Sequence, residues 1–534
     1  MSKIKTSSTA EYFSKNLQQV GFSSPLKAVL TTLKEAVDNS LDACEDSGIL
    51  PHIKINISKI GKGSSRNTDL IKIKIEDNGP GLSVQDLPAV FGEYLASSKF
   101  GKGQCSRGQQ GIGISAATTW AQLTNATGVC VESKTKNMQQ AVSMVIDVDI
   151  KNNKGLVKKK TSIKWNKKKH GLKASFVIDG RVQLNGDGGL ITYLEGTSLV
   201  NPHLELDYTL LENDPVSVKR VSDVIPKVPP PTLPHPHTMK LGEFITYSHL
   251  YGKISLSKFL KTGFSRISDA TIKEISKKNK IKSSLLNLSL PKLLDSDFKK
   301  VFEALQEATL MNPQTNSVLI IGEKALEQSI HRIGDVDFFS VVTRKPRICD
   351  FKPVVIEVAM ARLNDTKGKD ENSLQLLRFA NRVPLQFDKS SCALTKAVES
   401  VNWKAYGLQQ SKNSVPSGPY VLAISMTSPF IKFKNASKET VDASEELVEE
   451  IRKALIQTGQ KLGRYIRKEK KEFDLERKIQ HIEKFAPILV NALVKITKAP
   501  IKRKKKAELG LMKILGRDAK NAEAELTQAK EKLK

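Results

Sequence analysis

The sequence predicts a multidomain α+β protein, from its length and from the order of its periodic patterns. At roughly 150 residues per domain, the 534 residues correspond to about three or four folded units. A proline-rich segment, residues 226–236, lacks the N–H donors of helix or sheet and favours an extended connector. Strand patterns occur on both sides of it, whereas helical periodicity dominates residues 241–308. A small helical unit is therefore expected between two strand-containing units.

The charge balance is strongly basic. Lys and Arg number 85 and Asp and Glu 56, which leaves a formal net charge of +29. Such a surplus attracts polyanions, of which nucleic acid is the commonest. No apolar run approaches the ~18 residues of a membrane span, and the first residues lack a signal-peptide pattern. We therefore expect a cytoplasmic protein without a membrane role.

The cysteines and histidines predict no metal site. The five cysteines are scattered and form no CxxC pair, so neither a disulfide framework nor a zinc site is indicated. The His-Pro-His sequence at residues 235–237 lies in the proline cluster without a second ligand pair nearby. We interpret these histidines as structural loop residues.

The most informative segment, residues 25–45, has the pattern of an amphipathic helix. Its apolar residues recur at helical spacing and form one face. Glu35, Asn39 and Asp42 fall together on the opposite face, since they are spaced i, i+4 and i+7. Such a face is ordinarily only solvated, so this pattern alone identifies no site.

A half-buried strand follows, with isoleucines alternating over residues 70–77. It ends at Asp77, and the next residues, Asn78-Gly79-Pro80-Gly81, form a turn with two glycines. The glycines let the backbone pass close to a ligand while Asp77 is held at the end of the strand. A plain hairpin turn would have the same pattern.

A glycine-spaced loop, residues 107–115 (RGQQGIGIS), runs into a helical pattern over residues 116–123. A loop that opens a helix offers free N–H groups to phosphates. The order of a Walker loop is absent, and so is a dinucleotide-binding fingerprint. The candidate nucleotide ligands of this region are Ser98, Lys99, Gly108, Gln109, Gln110, Gly111, Ile112, Gly113 and Ile114.

In this order, the three features resemble the ATP-binding fold shared by gyrase, heat-shock-90 chaperones, histidine kinases and mismatch-repair MutL proteins. The resemblance implies ATP and Mg²⁺ as cofactors. Glu35 would then be the catalytic base that activates water against the γ-phosphate, and the amide oxygen of Asn39 would hold Mg²⁺. Asp77 would accept a hydrogen bond from the exocyclic amine of adenine, which guanine lacks at that position.

Further motifs narrow the resemblance to the B subunits of DNA topoisomerase VI, over roughly residues 10–470. They lie at residues 10–22, 35–51, 107–115, 342–346, 378–384 and 397–406. The family has a Bergerat-type ATPase α/β sandwich, a small helix-two-turn-helix domain and an α+β transducer with a long C-terminal helix. The expected boundaries are 1–228 for the N-terminal strap and ATPase domain and 229–308 for the helix-two-turn-helix domain. The transducer domain is expected over residues 309–471, and a basic helical C-terminal tail over residues 472–534.

The resemblance implies an ATP-hydrolysing B subunit of a type IIB DNA topoisomerase of the archaeal type. Such an enzyme relaxes and decatenates duplex DNA by ATP-gated double-strand passage. Its implied partners are a second B subunit, which joins when nucleotide binds, and a separate DNA-cleaving A subunit in a heterotetramer of two A and two B subunits. The alternative is a MutL-like or chaperone-like ATP clamp without strand passage, which the motifs around Arg378 and Trp403 disfavour.

Several residues of the second half receive roles by the same resemblance. Lys438, in Ser437-Lys438-Glu439, is the candidate sensor of the γ-phosphate, with Lys434 second. Trp403, Lys404 and Tyr406 are candidate DNA contacts, and core packing is the alternative for Trp403. The helix expected over residues 445–471 is the candidate surface for the A subunit.

Two features depart from the family pattern or lie outside it. Leu172 stands where the family often has a threonine, which would remove a hydroxyl from the adenine pocket. The lysine runs 158–160 and 167–169 either meet DNA or only face solvent.

Strands are also expected in the last α+β unit, at residues 318–322, 338–343, 354–360 and 420–425.

Overall fold

The computed structural model describes residues 7–97, 103–108, 111–165, 169–332, 334–363, 374–435, 437–498, 500–507, 509–510 and 513. The chain divides into two compact units. The first comprises residues 1–401 and 412–455, and the second comprises residues 402–411 and 456–534. The four-part domain division expected from the sequence stays a prediction.

The first unit begins with an eight-stranded sheet in the order β5-β4-β3-β6-β2-β1-β7-β8. Its strands are antiparallel to their neighbours except for the parallel pair β1 and β7. The strands are β1 (His52–Lys62), β2 (Asp69–Asp77), β3 (Val129–Lys134), β4 (Ala141–Asp149), β5 (Lys154–Ile163), β6 (Gly171–Gly180), β7 (Glu205–Leu210) and β8 (Val216–Val218).

Helices share the hydrophobic core of this sheet. They are α1 (Thr9–Lys15), α2 (Pro25–Asp46), α3 (Asp86–Gly92), α4 (Gly113–Asn125) and α5 (Leu190–Val200). The predicted helix over residues 25–45 is confirmed as α2, which begins with Ser24 as its N-cap and Pro25 in its first turn. Its apolar side, including Leu33, Val37 and Leu41, lies in the core with the alternating isoleucines of β2.

The proline-rich connector contains no α-helix and no regular strand, as its missing N–H donors predict, and a short 3-10 helix, Pro236–Thr238, begins at its last residue. A compact group of short helices follows it, around an aromatic core that includes Phe244, Phe259, Phe264 and Phe298. The helices are α6 (Leu241–His249), α7 (Leu256–Gly263), α8 (Asp269–Lys278), α9 (Ser283–Asn287) and α10 (Asp295–Gln306). The helical character predicted for residues 241–308 is confirmed.

A second sheet of six strands has the order β10-β11-β14-β12-β13, with β9 paired to β11. The strands are β9 (Val336–Thr343), β10 (Arg347–Cys349), β11 (Lys352–Leu363), β12 (Gln375–Ala380), β13 (Val383–Pro384) and β14 (Tyr420–Thr427). The same part of the chain contains the helices α11 (Glu323–Ile330) and α12 (Ala393–Glu399).

The strand predicted at residues 318–322 is wrong. The segment is extended, but its backbone pairs with a side chain instead of a neighbouring strand. Ile321 and Gly322 donate their N–H groups to the Glu357 carboxylate at 2.9 and 2.8 Å. Burial raises the pKa of Glu357 despite these bonds. A buried acceptor therefore satisfies the donors that a sheet would otherwise have used.

The last helix, α13 (Glu445–Thr497), extends well beyond the predicted end at Lys471. Its later part and residues 402–411 form the second unit. Trp403 is fully buried, which favours the core-packing alternative, and its role as a DNA contact stays a prediction. Lys404 is exposed and Tyr406 partly exposed, and their roles stay predictions.

Within the described residues, no helix combines the length and the apolar character that a membrane span requires.

Candidate nucleotide site

A cavity of about 280 Å³ lies between α2, the end of β2 and the N-terminus of α4. It brings together most of the residues that the sequence analysis proposed for nucleotide binding. Those that line it are Glu35, Asn39, Asp77, Gly108, Gly111, Ile112, Gly113, Ile114 and Lys438. Ser98, Lys99, Gln109 and Gln110 lie outside the described residues.

Asp77 is fixed at the buried end of the cavity. Its Oδ1 accepts the backbone N–H of Gly79 at 2.9 Å and that of Leu172 at 3.3 Å. Its Oδ2 accepts the hydroxyl of Ser40, on α2, at 2.9 Å. Three donors therefore orient the carboxylate before any ligand binds. Leu172 pairs with Asp77 across strands β2 and β6 and also lines the cavity, so an apolar side chain borders this acceptor.

We expect Asp77→Asn to weaken ATP binding roughly 10- to 100-fold. The carboxylate would accept a charge-assisted hydrogen bond from the adenine amine, whereas the NH₂ group of asparagine would place one N–H donor against another. Calorimetry with a non-hydrolysable ATP analogue measures the change, and the preference for ATP over GTP should fall with it. Ser40→Ala, which removes one orienting donor and keeps the acceptor, is the control and should cost less. Unchanged affinity for the ATP analogue in Asp77→Asn would contradict the assignment.

Glu35 and Asn39 face the open part of the cavity from successive turns of α2. The first residue of α4, Gly113, approaches Glu35 so closely that a Cβ there would collide with the carboxylate. A Cβ on Gly108 would lie 3.4 Å from the Asn39 amide oxygen. A side chain at position 113 would therefore force the Glu35 carboxylate to move, whereas position 108 has room for a Cβ. The N–H groups of the α4 N-terminus, which attract anions, lie beside the carboxylate.

A second charged layer lies behind Glu35 on the same helix. Burial lowers the pKa of Lys34 and raises that of Asp38 to about 7, with Lys34 opposing the latter shift. Tyr193 on α5 donates its hydroxyl to Asp38 at 3.4 Å. Burial therefore opposes ionisation of the Asp38 carboxyl, whereas the Lys34 ammonium group favours it.

Lys438 reaches the cavity from a loop far along the sequence. Its Nζ donates to the backbone oxygen of Arg107 at 2.9 Å, at the start of the glycine loop. The residue has a left-handed backbone, with φ of 54°, a conformation that is costly outside glycine and frequent at functional sites. The next residue, Glu439, pairs with Lys27 on α2 at 2.8 Å. Lys434 lines a neighbouring cavity instead, which favours Lys438 over Lys434 as the sensor.

A buried ionic cluster centred on Glu45 was not predicted. The Glu45 carboxylate, at the end of α2, binds both guanidinium nitrogens of Arg107 at 2.7 and 3.0 Å. It also binds Arg382 bidentately at 2.8 and 2.7 Å, and His203 at 2.8 Å. Arg107 binds Asp42 at 2.7 Å as well, so Asp42 is not a solvated residue.

The electrostatics of the Glu45 cluster follow from this pairing. Burial alone would raise the pKa of Glu45, but Arg107, Arg382 and His203 together hold it well below its usual range. Burial lowers the pKa of His203, which favours a neutral ring donating to the carboxylate. Because Arg382 follows β12 and Arg107 begins the glycine loop, Glu45 joins the second sheet to the nucleotide site. No local sequence pattern signals such a contact.

Two family models match the chain. The model described as "Topoisomerase VI B subunit, transducer" matches residues 313–478, and "Histidine kinase-, DNA gyrase B-, and HSP90-like ATPase" matches residues 28–173. The B subunit of the type 2 DNA topoisomerase 6 of Archaeoglobus fulgidus is 34% identical over 494 residues, which cover 92% of this chain and 80% of that protein. The chain belongs to the topoisomerase VI B subunit family.

Other members agree with this assignment. The corresponding B subunit of Pyrococcus horikoshii is 30% identical over 542 residues, covering 93% of each chain. Among solved structures, the ATPase region of Saccharomyces cerevisiae topoisomerase II bound to ICRF-187 has a TM-score of 0.41 and 11% identity, over 87% of this chain and 98% of that one. As a topoisomerase VI B subunit, the chain is the ATP-binding subunit of an ATP-dependent type II topoisomerase, and the clamp alternative is not favoured.

Proposed function

We propose that the cavity hydrolyses ATP with Glu35 as the general base. A carboxylate held on a rigid helix can accept a proton from water aligned with the γ-phosphate. Glu35 is suited to this because its carboxylate borders the N-terminus of α4, where N–H groups favour phosphate oxygens. At the opposite end of the cavity, Asp77, whose carboxylate is already oriented by hydrogen bonds, would orient the adenine. The observation that carries the proposal is that the Asp77 and Glu35 carboxylates line the same cavity.

Asn39 would supply the protein ligand for Mg²⁺. The fit is chemical: an amide oxygen is a hard donor, and Mg²⁺ usually takes few protein ligands and completes its shell with water and substrate phosphates. Among the described residues no cluster of three or more His, Cys, Asp or Glu could hold a metal ion by itself. When bound, the ion would neutralise charge on the β- and γ-phosphates.

Lys438 would report the γ-phosphate to the second sheet. In the present conformation its ammonium group is held by the Arg107 carbonyl, within reach of the cavity that it lines. A γ-phosphate is a stronger partner for an ammonium group than a neutral carbonyl. Transfer of Lys438 to the phosphate would pull its loop, which Glu439 ties to α2. Binding would in this way be coupled to closure of two B subunits.

The proposed assembly adds a DNA-cleaving A subunit in a heterotetramer of two A and two B subunits. It acts on duplex DNA in the cytoplasm of a prokaryotic cell, by ATP-gated strand passage. We place the contact with the A subunit on the later part of α13, rather than only on residues 445–471. Exposed apolar side chains there fall within one stripe of the helix, namely Phe485, Leu489, Leu493 and Ile496. Such stripes mark protein interfaces.

We expect the purified chain to be a monomer without nucleotide and a dimer with a non-hydrolysable ATP analogue and Mg²⁺. Light scattering measures the mass. Lys438→Ala should still bind the analogue but dimerise much less, because the γ-phosphate loses its connection to the loop. Lys434→Ala is the matched control and should dimerise like the wild type. A wild-type mass that stays fixed while the analogue binds would contradict ATP-driven closure of the chain alone.

A further inference from the structure

The strand β5 and the residues that flank it carry a dense run of lysines. Between residues 151 and 170 the sequence has nine lysines and no aspartate or glutamate. Those within the described residues are all exposed, namely Lys151, Lys154, Lys158, Lys159, Lys160, Lys164 and Lys169. The nucleotide site uses none of them.

The position of β5 in the fold keeps this charge accessible. It is the edge strand of the eight-stranded sheet, so one side of its backbone is unpaired by the sheet. Helix α3 packs against its beginning, where a Cβ on Gly155 would collide with Pro88. From Lys158 onward the side chains are open, since residues 158–162 are all exposed.

Few carboxylates neutralise the second half of the strand. Lys158 lies 3.7 Å from Asp147 on β4. Within the described residues, no carboxylate lies within ion-pair distance of Lys159 or Lys160. Their cross-strand neighbours on β4 are Val145 and Met144, which are apolar. The lysines therefore present uncompensated positive charge rather than the alternating pattern of a salt-bridged surface.

An edge strand has one other use for lysines. Charged side chains on an exposed edge prevent pairing with the edge of another sheet. A single lysine is enough to prevent such edge-to-edge pairing. A run of lysines without any acidic residue is more than this protection requires. The two explanations make different predictions, because edge protection acts on self-association and not on a polyanion.

We propose that the β5 edge is a contact surface for the phosphate backbone of duplex DNA, separate from residues 403–406. This inference rests on the proposed function, which supplies duplex DNA as the substrate. The segment from Lys158 to Lys164 spans ~20 Å at about 3.3 Å per residue, and a duplex presents roughly twelve phosphate charges over that length. Lysines act as mobile point charges, so the contact reads no sequence.

The test compares matched charge changes on the full chain. Lys158→Gln, Lys159→Gln and Lys160→Gln are combined in one variant, and the same positions are changed to Arg in a second. The control variant removes as much charge from lysines in or next to the same sheet that already lie beside carboxylates. It combines Lys59→Gln, Lys62→Gln and Lys219→Gln, whose partners are Asp69 and Glu205.

Binding to a short mixed-sequence duplex is measured by fluorescence anisotropy between about 50 and 200 mM salt. In the Gln variant, we expect affinity to fall roughly tenfold at low salt and the slope of log affinity against log salt to decrease by about 3. The Arg variant and the control variant should match the wild type. ATP turnover without DNA should be the same in all of them.

A Gln variant with wild-type affinity and salt slope would overturn the inference. If that variant also self-associated in light scattering, the lysines would be assigned to edge protection instead. Neither result bears on the proposed function, which fails separately if the wild-type chain does not turn over ATP or does not dimerise with nucleotide.

Discussion

Replacement of Glu35 by alanine is expected to abolish most ATP turnover and to leave ATP binding nearly unchanged. The carboxylate is proposed to take a proton in the reaction and not to hold the nucleotide, and removal of a general base typically costs roughly 10²- to 10⁴-fold in rate. Steady-state phosphate release measures turnover, and calorimetry with a non-hydrolysable analogue measures binding. The two measurements separate a catalytic role from a binding role.

Two further variants test whether the effect belongs to this carboxylate. Glu35→Gln keeps the size and polarity of the side chain beside Gly113 but cannot accept a proton, so it should be as inactive as Glu35→Ala. Asp46→Asn removes another carboxylate that lines the same cavity, near the end of α2, and should keep its turnover. Normal turnover in Glu35→Ala would refute the proposed mechanism.

Loss of the Glu45 carboxylate should destabilise the first unit by about 3–5 kcal/mol, the usual cost of breaking a buried ion pair. Glu45→Ala leaves Arg382 buried without this acidic partner and leaves Arg107 with Asp42 and the Asn201 amide oxygen. Chemical denaturation measures the change. Glu205→Ala is the matched control: this carboxylate also binds two cations, Lys219 and Arg220, but at the surface. It should cost no more than about 1 kcal/mol.

The difference between wild type and Glu45→Ala should depend on pH in a defined direction. The pKa of Glu45 is lower in the folded chain than its ordinary value of 4.5, because two arginines and a histidine outweigh the effect of burial. Its contribution is therefore fully present above about pH 4.5 and is lost as the pH falls toward the folded value. A stability difference that is small at pH 7, or that widens in acid, would contradict this account.

The Glu45 cluster also offers a structural route by which nucleotide binding would be coupled to the second sheet. Arg107 binds Glu45 through its side chain and accepts a hydrogen bond from Lys438 through its backbone oxygen. Arg382 holds the same carboxylate from the end of β12. A shift of the glycine loop would therefore reach the second sheet through buried charged contacts, which resist being pulled apart.

Local sequence was sufficient to predict the elements that carry the nucleotide site. Helix α2 follows from the spacing of its apolar residues, and that spacing alone puts Glu35 and Asn39 on one face. The end of β2 at Asp77 follows from alternating isoleucines and the glycine turn, and the N-terminus of α4 from the glycine loop. These patterns succeed because 3.6-residue and two-residue periods relate near neighbours in the chain.

Only the tertiary structure decided which of these residues meet partners from distant parts of the chain. Arg382 is 337 positions from Glu45 and Lys438 is 331 positions from Arg107, and no period connects such residues. The burial of Trp403 and the pairing of residues 321–322 with Glu357 were likewise decided by packing. An ion pair, a buried ring and an extended segment each depend on what lies across the core, which local spacing does not record.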